Sequence, residues 1–193
     1  MGLSGAGKTT LLEMILAKET PTEGTVIIDG VNIHDMPHQE LPALRRKIGS
    51  VFQDYKLLSS QTVYENICFV LKAIGAEDDE IEKSVPKVLA IVGLKGKAHK
   101  FPRQLSAGEK QRAAIARALI HKPNILLADE PTGNLDPANT KEVTDLLQKI
   151  NEFGTTILLA THDRDIIKRL RTRTILLKDG EINMDSSQGK ILL

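Results

Sequence analysis

The octet Gly2-Leu-Ser-Gly-Ala-Gly-Lys-Thr9 constrains the fold of this chain more than any other segment. It fits G-x-x-x-x-G-K-[ST], a loop whose glycines let backbone N–H groups turn inward around phosphates. Such a loop joins a strand to a helix. The helix is legible: Leu11, Leu12, Ile15 and Leu16 recur at helical spacing and predict a helix over about Lys8–Lys18. The strand is not, because only Met1 stands ahead of the loop. We therefore expect Met1 to be a truncated start and the N-terminal strands of the fold to be missing.

Downstream, strands alternate with helices, the pattern of an α/β fold. Thr25–Asp29 and Val31–Ile33 flank an Asp29-Gly30 turn and predict a short antiparallel excursion. Ile48–Phe52 predicts a strand ending at Gln53. From Thr62 to about Leu94 the pattern is helical, opened by a Thr62/Glu65 capping box, with Gly75 as a stop. Pro86 should kink or divide the second helix there. Residues 54–115 thus predict a helical subdomain inserted in a single α/β domain. After Ser106 the order is a helix to about His121, strand Ile125–Ala128, a helix near Asn139–Glu152, strand Thr155–Ala160, a helix near Arg164–Leu170 and strand Arg173–Leu177.

The candidate chemistry gathers at predicted strand ends. Ligands of open parallel sheets bind beyond the carboxyl ends of the strands. Ile125–Ala128 is a continuous apolar run, suited to a strand buried on both faces, and it delivers Asp129 and Glu130 to that edge. Asp129 is the candidate Mg²⁺ holder, together with the Thr9 hydroxyl and Gln53. Glu130 is the candidate general base for water, Lys8 the cation for the outer phosphates, and His162 a second contact to the terminal phosphate. Gly2, Ser4, Gly5, Ala6, Gly7 and Thr10 complete the phosphate cradle. Ser106-x-x-Glu109 is a capping box, and a helix N-terminus carrying Gly108 and a free hydroxyl is also an anion site. That terminus would meet a phosphate bound to another subunit.

Composition removes other classes. Lys plus Arg total 26 against 25 for Asp plus Glu, which leaves no electrostatic footprint for nucleic acid. Aromatics are 3%, too few for a base-stacking platform. Cys68 is alone, which fits a reducing compartment. No apolar run approaches the ~20 residues that span a bilayer.

With these residues in hand, the chain resembles an ABC transporter nucleotide-binding domain over nearly its full length. The resemblance implies a P-loop ATPase using ATP and Mg²⁺. It makes Gly2–Thr9 Walker A, Gln53 the Q-loop glutamine, Leu105–Glu109 the signature, Ile125–Glu130 Walker B, Asn134-Leu135-Asp136 the D-loop and His162 the H-loop histidine. Within that family, Asp129-Glu-Pro-Thr-Gly-Asn-Leu-Asp136 is similar to the FtsE, LolD and MacB group. Leu44-Arg-Arg-Lys-Ile-Gly49, Val51-Phe-Gln-Asp-Tyr55 and Thr62-Val-Tyr-Glu-Asn66 look most like the FtsE type. That type implies a head-to-tail homodimer at the cytoplasmic face of the bacterial inner membrane. The dimer would drive a separate FtsX-like integral membrane subunit in cell division and cell-wall hydrolase control. Lipoprotein-release or export ATPases of LolD or MacB type are the alternative, and a catalytically dead fragment a further one. Chromosome-maintenance ATPases share the motifs, but they interrupt them with long coiled coils, and no heptad run occurs here. Ala107 departs from the usual signature glycine, and Glu109 from the usual glutamine. Tyr55, Leu57, Leu58 and Tyr64 are candidate anchors for the membrane partner, or packing for the helical subdomain.

Overall fold

A computed structural model describes residues 1–3 and 5–187. Three parallel strands, β3 (Ile48–Val51), β4 (Ile125–Asp129) and β5 (Thr156–Ala160), pair in the order β3-β4-β5. Strand β4 is central, and its side chains alternate between two cores. Leu126 and Ala128 face the larger core, and Leu127 faces the smaller one. All three are 0–2% exposed, as a doubly covered parallel strand requires.

The smaller core is closed by α1 (Lys8–Ile15), the two-residue strands β1 (Ile27–Ile28) and β2 (Val31–Asn32), and α2 (Leu41–Arg46). Leu12, Leu16, Ile33, Leu41 and Leu44 meet Ile48 and Leu127 there. The larger core lies under α3 (Val63–Ala73), α4 (Asp78–Ile91), α5 (Ala107–Leu119) and α6 (Pro137–Glu152). Helices α3 and α4 and two 3₁₀ turns fall between β3 and β5's partner strand β4, with α5 completing the interval. The chain continues through α7 (Arg164–Leu170) to a hairpin, β6 (Thr174–Lys178) and β7 (Glu181–Ser186).

Residue 1 lies beside this hairpin. The Met1 ammonium donates to Ile175 O at 2.8 Å, and Leu177 N donates to Met1 O at 2.8 Å, the two bonds a parallel neighbour of β6 would make. Gly2 then passes so close that a Cβ would stand 2.5 Å from Leu177 O. The P-loop therefore leaves from the edge of β6, and glycine is required at its first position by backbone crowding.

Several predicted boundaries shift. Helix α1 stops at Ile15, three residues before Lys18, because Ala17 turns left-handed at φ 50°. The capping box on α3 is present, with Thr62 Oγ1 accepting from Glu65 N and Glu65 Oε2 accepting from Thr62 N. Pro86 does not divide α4, which runs unbroken from Asp78 to Ile91. Both Pro86 and Glu82, whose carbonyl loses its helical donor, are exposed, so the freed oxygen lies on the solvent-facing side of the helix rather than in the core. Helix α2 and strand β7 add to the expected elements; Leu41 and Leu44 are too short a repeat to signal a helix, whereas the Asp179-Gly180 turn, left-handed at both residues, marks the β6–β7 hairpin.

His121, just after α5, is half-buried, and burial pushes its pKa below the ordinary 6.5. The unfolded chain therefore binds a proton at His121 more readily than the folded one. The associated stability is complete above about pH 6.5 and is lost as pH falls through the depressed folded value. We expect the melting temperature to drop between pH 7.5 and 5.5, and His121→Gln to shrink that drop, as followed by circular dichroism.

Candidate active site

The P-loop turns on two glycines. Gly5 and Gly7 are left-handed at φ 81° and 91°, and Gly7 is the N-cap of α1 with no side chain occupying the helix terminus. The first N–H groups of α1 therefore face outward at the positive end of the helix dipole. Ala6 is buried, while Thr9 and Thr10 are exposed on the first turn; Ser4 lies outside the described residues.

Lys8 is buried, at 8% exposure, and its ammonium is held within the site. It donates to Gly2 O at 2.7 Å and Leu3 O at 3.0 Å, and stands 3.3 Å from Glu130 Oε1. The same Glu130 oxygen is 2.9 Å from Nδ1 of His162. Three groups from three segments thus meet on one carboxylate: Lys8 from the P-loop, Glu130 from the end of β4 and His162 two residues beyond β5. Glu130 is itself left-handed at φ 45°, a conformation that costs an L residue roughly 1–2 kcal/mol. The strain turns the chain out of β4 and brings the carboxylate back toward the loop.

Asp129 serves the other side. Its Oδ2 accepts from the Thr9 hydroxyl at 2.8 Å, while its Oδ1 is buried without a hydrogen-bond partner. A buried, unpaired carboxylate oxygen beside a hydroxyl suits a hard divalent cation. Gln53 and Thr9 line the same cleft of about 300 Å³ with Asp129 and Asn134, so the three residues predicted to hold Mg²⁺ are brought together. Asn134 also donates to Gln53 O at 3.4 Å.

Ser106 and Gly108 are not joined to this cluster by any hydrogen bond or ion pair among the described residues. Ser106 caps α5, accepting from Glu109 N at 3.2 Å, and Glu109 Oε2 accepts from Ser106 N at 2.9 Å. Glu109 also pairs with Lys97 at 2.9 Å. The bond from Ser106 N, then that from Lys97, holds its carboxyl below the usual glutamate range. Ser106 and Ala107 are exposed, so the added methyl points to solvent; Gly108 is buried.

Gly108 has an intramolecular role that the sequence did not show. A Cβ there would fall 1.8 Å from Asn139 Oδ1 and 3.0 Å from Asn139 Cβ. Asn139 is fixed in turn by Asp136, the N-cap of α6, which accepts from Asn139 N at 2.9 Å and Asn139 Nδ2 at 2.6 Å. These bonds hold the Asp136 carboxyl below its usual range. The turn at Gly108 thus packs directly against the start of α6. Asp136-x-x-Asn139 is an ordinary cap pattern, and only its contact with Gly108 sets it apart. Of the four candidate anchors, Leu57 and Tyr64 pack against the larger core, Tyr55 is half-buried and Leu58 is 37% exposed.

A family model described as "ABC transporter" matches residues 1–133. The chain belongs to the ABC transporter ATP-binding family. As an ABC ATPase it is similar to the cell division ATP-binding protein FtsE of Mycobacterium tuberculosis, 48% identical over 189 residues, 98% of this chain and 82% of that protein. It is also similar to the methionine import ATP-binding protein MetN 1 of Listeria monocytogenes, 49% identical over 193 residues, 100% of this chain and 56% of that protein. Its fold matches the dimeric post-hydrolysis state of the ATP-binding cassette MJ0796 bound to ADP and Pi. There the TM-score is 0.85 at 40% identity, covering 97% of this chain and 83% of that one. This ABC ATPase has no helix among its described residues long and apolar enough to cross a membrane.

The packing at Gly108 has a measurable consequence. Gly108→Ala should destabilise the protein by about 1–3 kcal/mol, the usual cost of overpacking a filled site. Adding Asn139→Ala removes the atoms at 1.8 and 2.4 Å and should return most of that loss in a urea melt.

Proposed function

We propose that this ABC ATPase works as a head-to-tail homodimer with Mg²⁺, energising an FtsX-like integral membrane subunit in cell division. The observation that supports the composite site is the separation just described. Lys8, Thr9, Asp129, Glu130 and His162 converge at the carboxyl ends of β4 and β5, while Ser106 stands exposed and apart. A second copy would bring its Ser106 and Gly108 to the terminal phosphate over the first copy's P-loop. The neighbour MJ0796, solved as a dimer with ADP and Pi, supports this reading.

In the site, Thr9, Asp129 and Gln53 would hold Mg²⁺. Bound there, the ion would neutralise the outer phosphates. Gly2, Ser4, Gly5, Ala6, Gly7 and Thr10 would wrap the phosphates, and Lys8 would turn its ammonium to them. That movement would relieve Glu130 of its cation, and the carboxylate could then take a proton from the attacking water. His162 would hold Glu130 in orientation through Nδ1 and present its other nitrogen to the phosphate. We further read residues 54–115 as a helical subdomain that carries the signature, and the protein as peripheral to the cytoplasmic face of the bacterial inner membrane.

The FtsE-named relatives support the cell-division reading, together with the FtsE-like segments at Leu44–Gly49, Val51–Tyr55 and Thr62–Asn66. The MetN relatives, at 49% identity, favour a second reading in which the same ATPase drives an importer. Affinity capture from membranes decides between them. We expect an FtsX-like subunit to be retained, and retention of an importer's membrane subunit in its place would overturn the first reading.

Glu130→Gln should lower steady-state ATP hydrolysis by roughly 100-fold or more, with ATP affinity retained, because shape is kept and the base removed. Lys8→Ala should instead weaken ATP binding itself in an equilibrium titration, since the cation facing the outer phosphates is lost.

A further inference from the structure

Arg117 sits in the last turn of α5 and uses its charge in an unusual way. Its guanidinium makes no ion pair among the described residues. It donates instead to two successive backbone carbonyls, Tyr55 O at 3.0 Å and Lys56 O. Arg117 is half-buried, and burial pushes its pKa down, with Asp54 opposing that shift, so these two bonds offset a partial loss of hydration.

The carbonyls belong to a strained turn. Tyr55 and Lys56 are both left-handed, at φ 59° and 46°, and neither is glycine. Two consecutive L residues hold that conformation only when the surroundings impose it. The turn begins two residues after Gln53, which leaves β3 and enters the cleft shared with Thr9 and Asp129. The anchor is rigid at its other end. Ala118, the next residue of α5, presses its carbonyl so close to β3 that a Cβ on Gly49 would stand 2.4 Å from it. Helix α5 thus touches β3 ahead of Gln53 and grips the turn behind it.

We infer that Arg117 is a positioning residue for Gln53. By holding Tyr55 and Lys56 left-handed, it sets how β3 delivers Gln53 to the metal side of the site. It also ties that delivery to the helix whose far end carries Ser106. The inference rests on the reading of Gln53 as a metal contact.

Titration of the protein with a fluorescent ATP analogue, in Mg²⁺ and in EDTA, tests it. Arg117→Lys keeps the charge but replaces the planar, fixed fork of donors with a shorter-reaching ammonium. We expect affinity in EDTA to stay within about twofold, affinity in Mg²⁺ to fall about five- to tenfold, and kcat to fall at least about tenfold, as misplacement by a fraction of an ångström produces. Adding Tyr55→Gly and Lys56→Gly, which make the left-handed turn free of steric cost, should recover much of the Mg²⁺-dependent affinity. Wild-type affinity in Mg²⁺ for Arg117→Lys overturns the inference, as does an equal loss in EDTA and Mg²⁺. Failure of the glycine pair to recover the Mg²⁺-dependent loss overturns it as well. If Arg117→Lys alone does not melt cooperatively, the triple variant carries the test, and it should fold and bind. Gln53→Ala separates the two levels. If it leaves Mg²⁺-dependent affinity unchanged, the reading of Gln53 fails; if it weakens that affinity and Arg117→Lys does not, only the role of Arg117 falls.

Discussion

The pairing of β4 between β3 and β5 fixes where the chemistry of this protein can occur. The register sets Val51 beside Ala128 and Asp129 beside Ala160. Gln53, Glu130 and His162 each follow their strand by one or two residues, so three segments far apart in sequence end on one line. What keeps β4 in the middle is its side chains, Leu126 and Ala128 on one face and Leu127 on the other, none of which tolerates water. A polar residue at any of the three would remove apolar burial from a core and disturb the placement of the carboxylates together.

The site is held by charge as much as by the sheet. Lys8 is buried, its ammonium donating to two carbonyls with the Glu130 carboxylate 3.3 Å away as counter-charge. Glu130 is in turn shared between Lys8 and His162, and its backbone is left-handed. Removing Lys8 or Glu130 leaves its largely buried partner underpaired, whereas His162 stays exposed. The protein's own contacts therefore hold Lys8, Glu130 and His162 together, with Asp129 Oδ1 left without a hydrogen-bond partner.

Much of this was legible in sequence because motif spacing reports on backbone geometry. G-x-x-x-x-G-K-T marked the loop whose glycines turn its N–H groups inward, and the Ile125–Ala128 run foretold a doubly buried parallel strand ending in two acids. Ser106-x-x-Glu109 foretold a helix cap. What stayed hidden are contacts between segments far apart in the chain. Nothing near Gly108 announces Asn139, about thirty residues later, and nothing near Tyr55 announces Arg117, 62 residues away. Pro86 leaves α4 undivided for a local reason: its cost depends on whether the orphaned carbonyl reaches water, and exposure is not written in the sequence around it.

These hidden contacts converge on α5. Its first turn packs against α6 through Gly108 and Asn139, and its last turn lies on β3 through Ala118 and Gly49 while Arg117 grips the turn after Gln53. A helix of 13 residues is about 20 Å long, and intrahelical hydrogen bonds make it stiff along its axis. Ser106 at one end and the Gln53 turn at the other therefore cannot move independently without breaking that packing, the grip or the helix. In the proposed head-to-tail pair, Ser106 would report on the partner's nucleotide and Gln53 on the chain's own, so the stiffness of α5 would supply a physical link between the two sites. The close approaches at Gly49 and Gly108 are what permit that stiffness to act, because each removes the space into which the helix would otherwise slide.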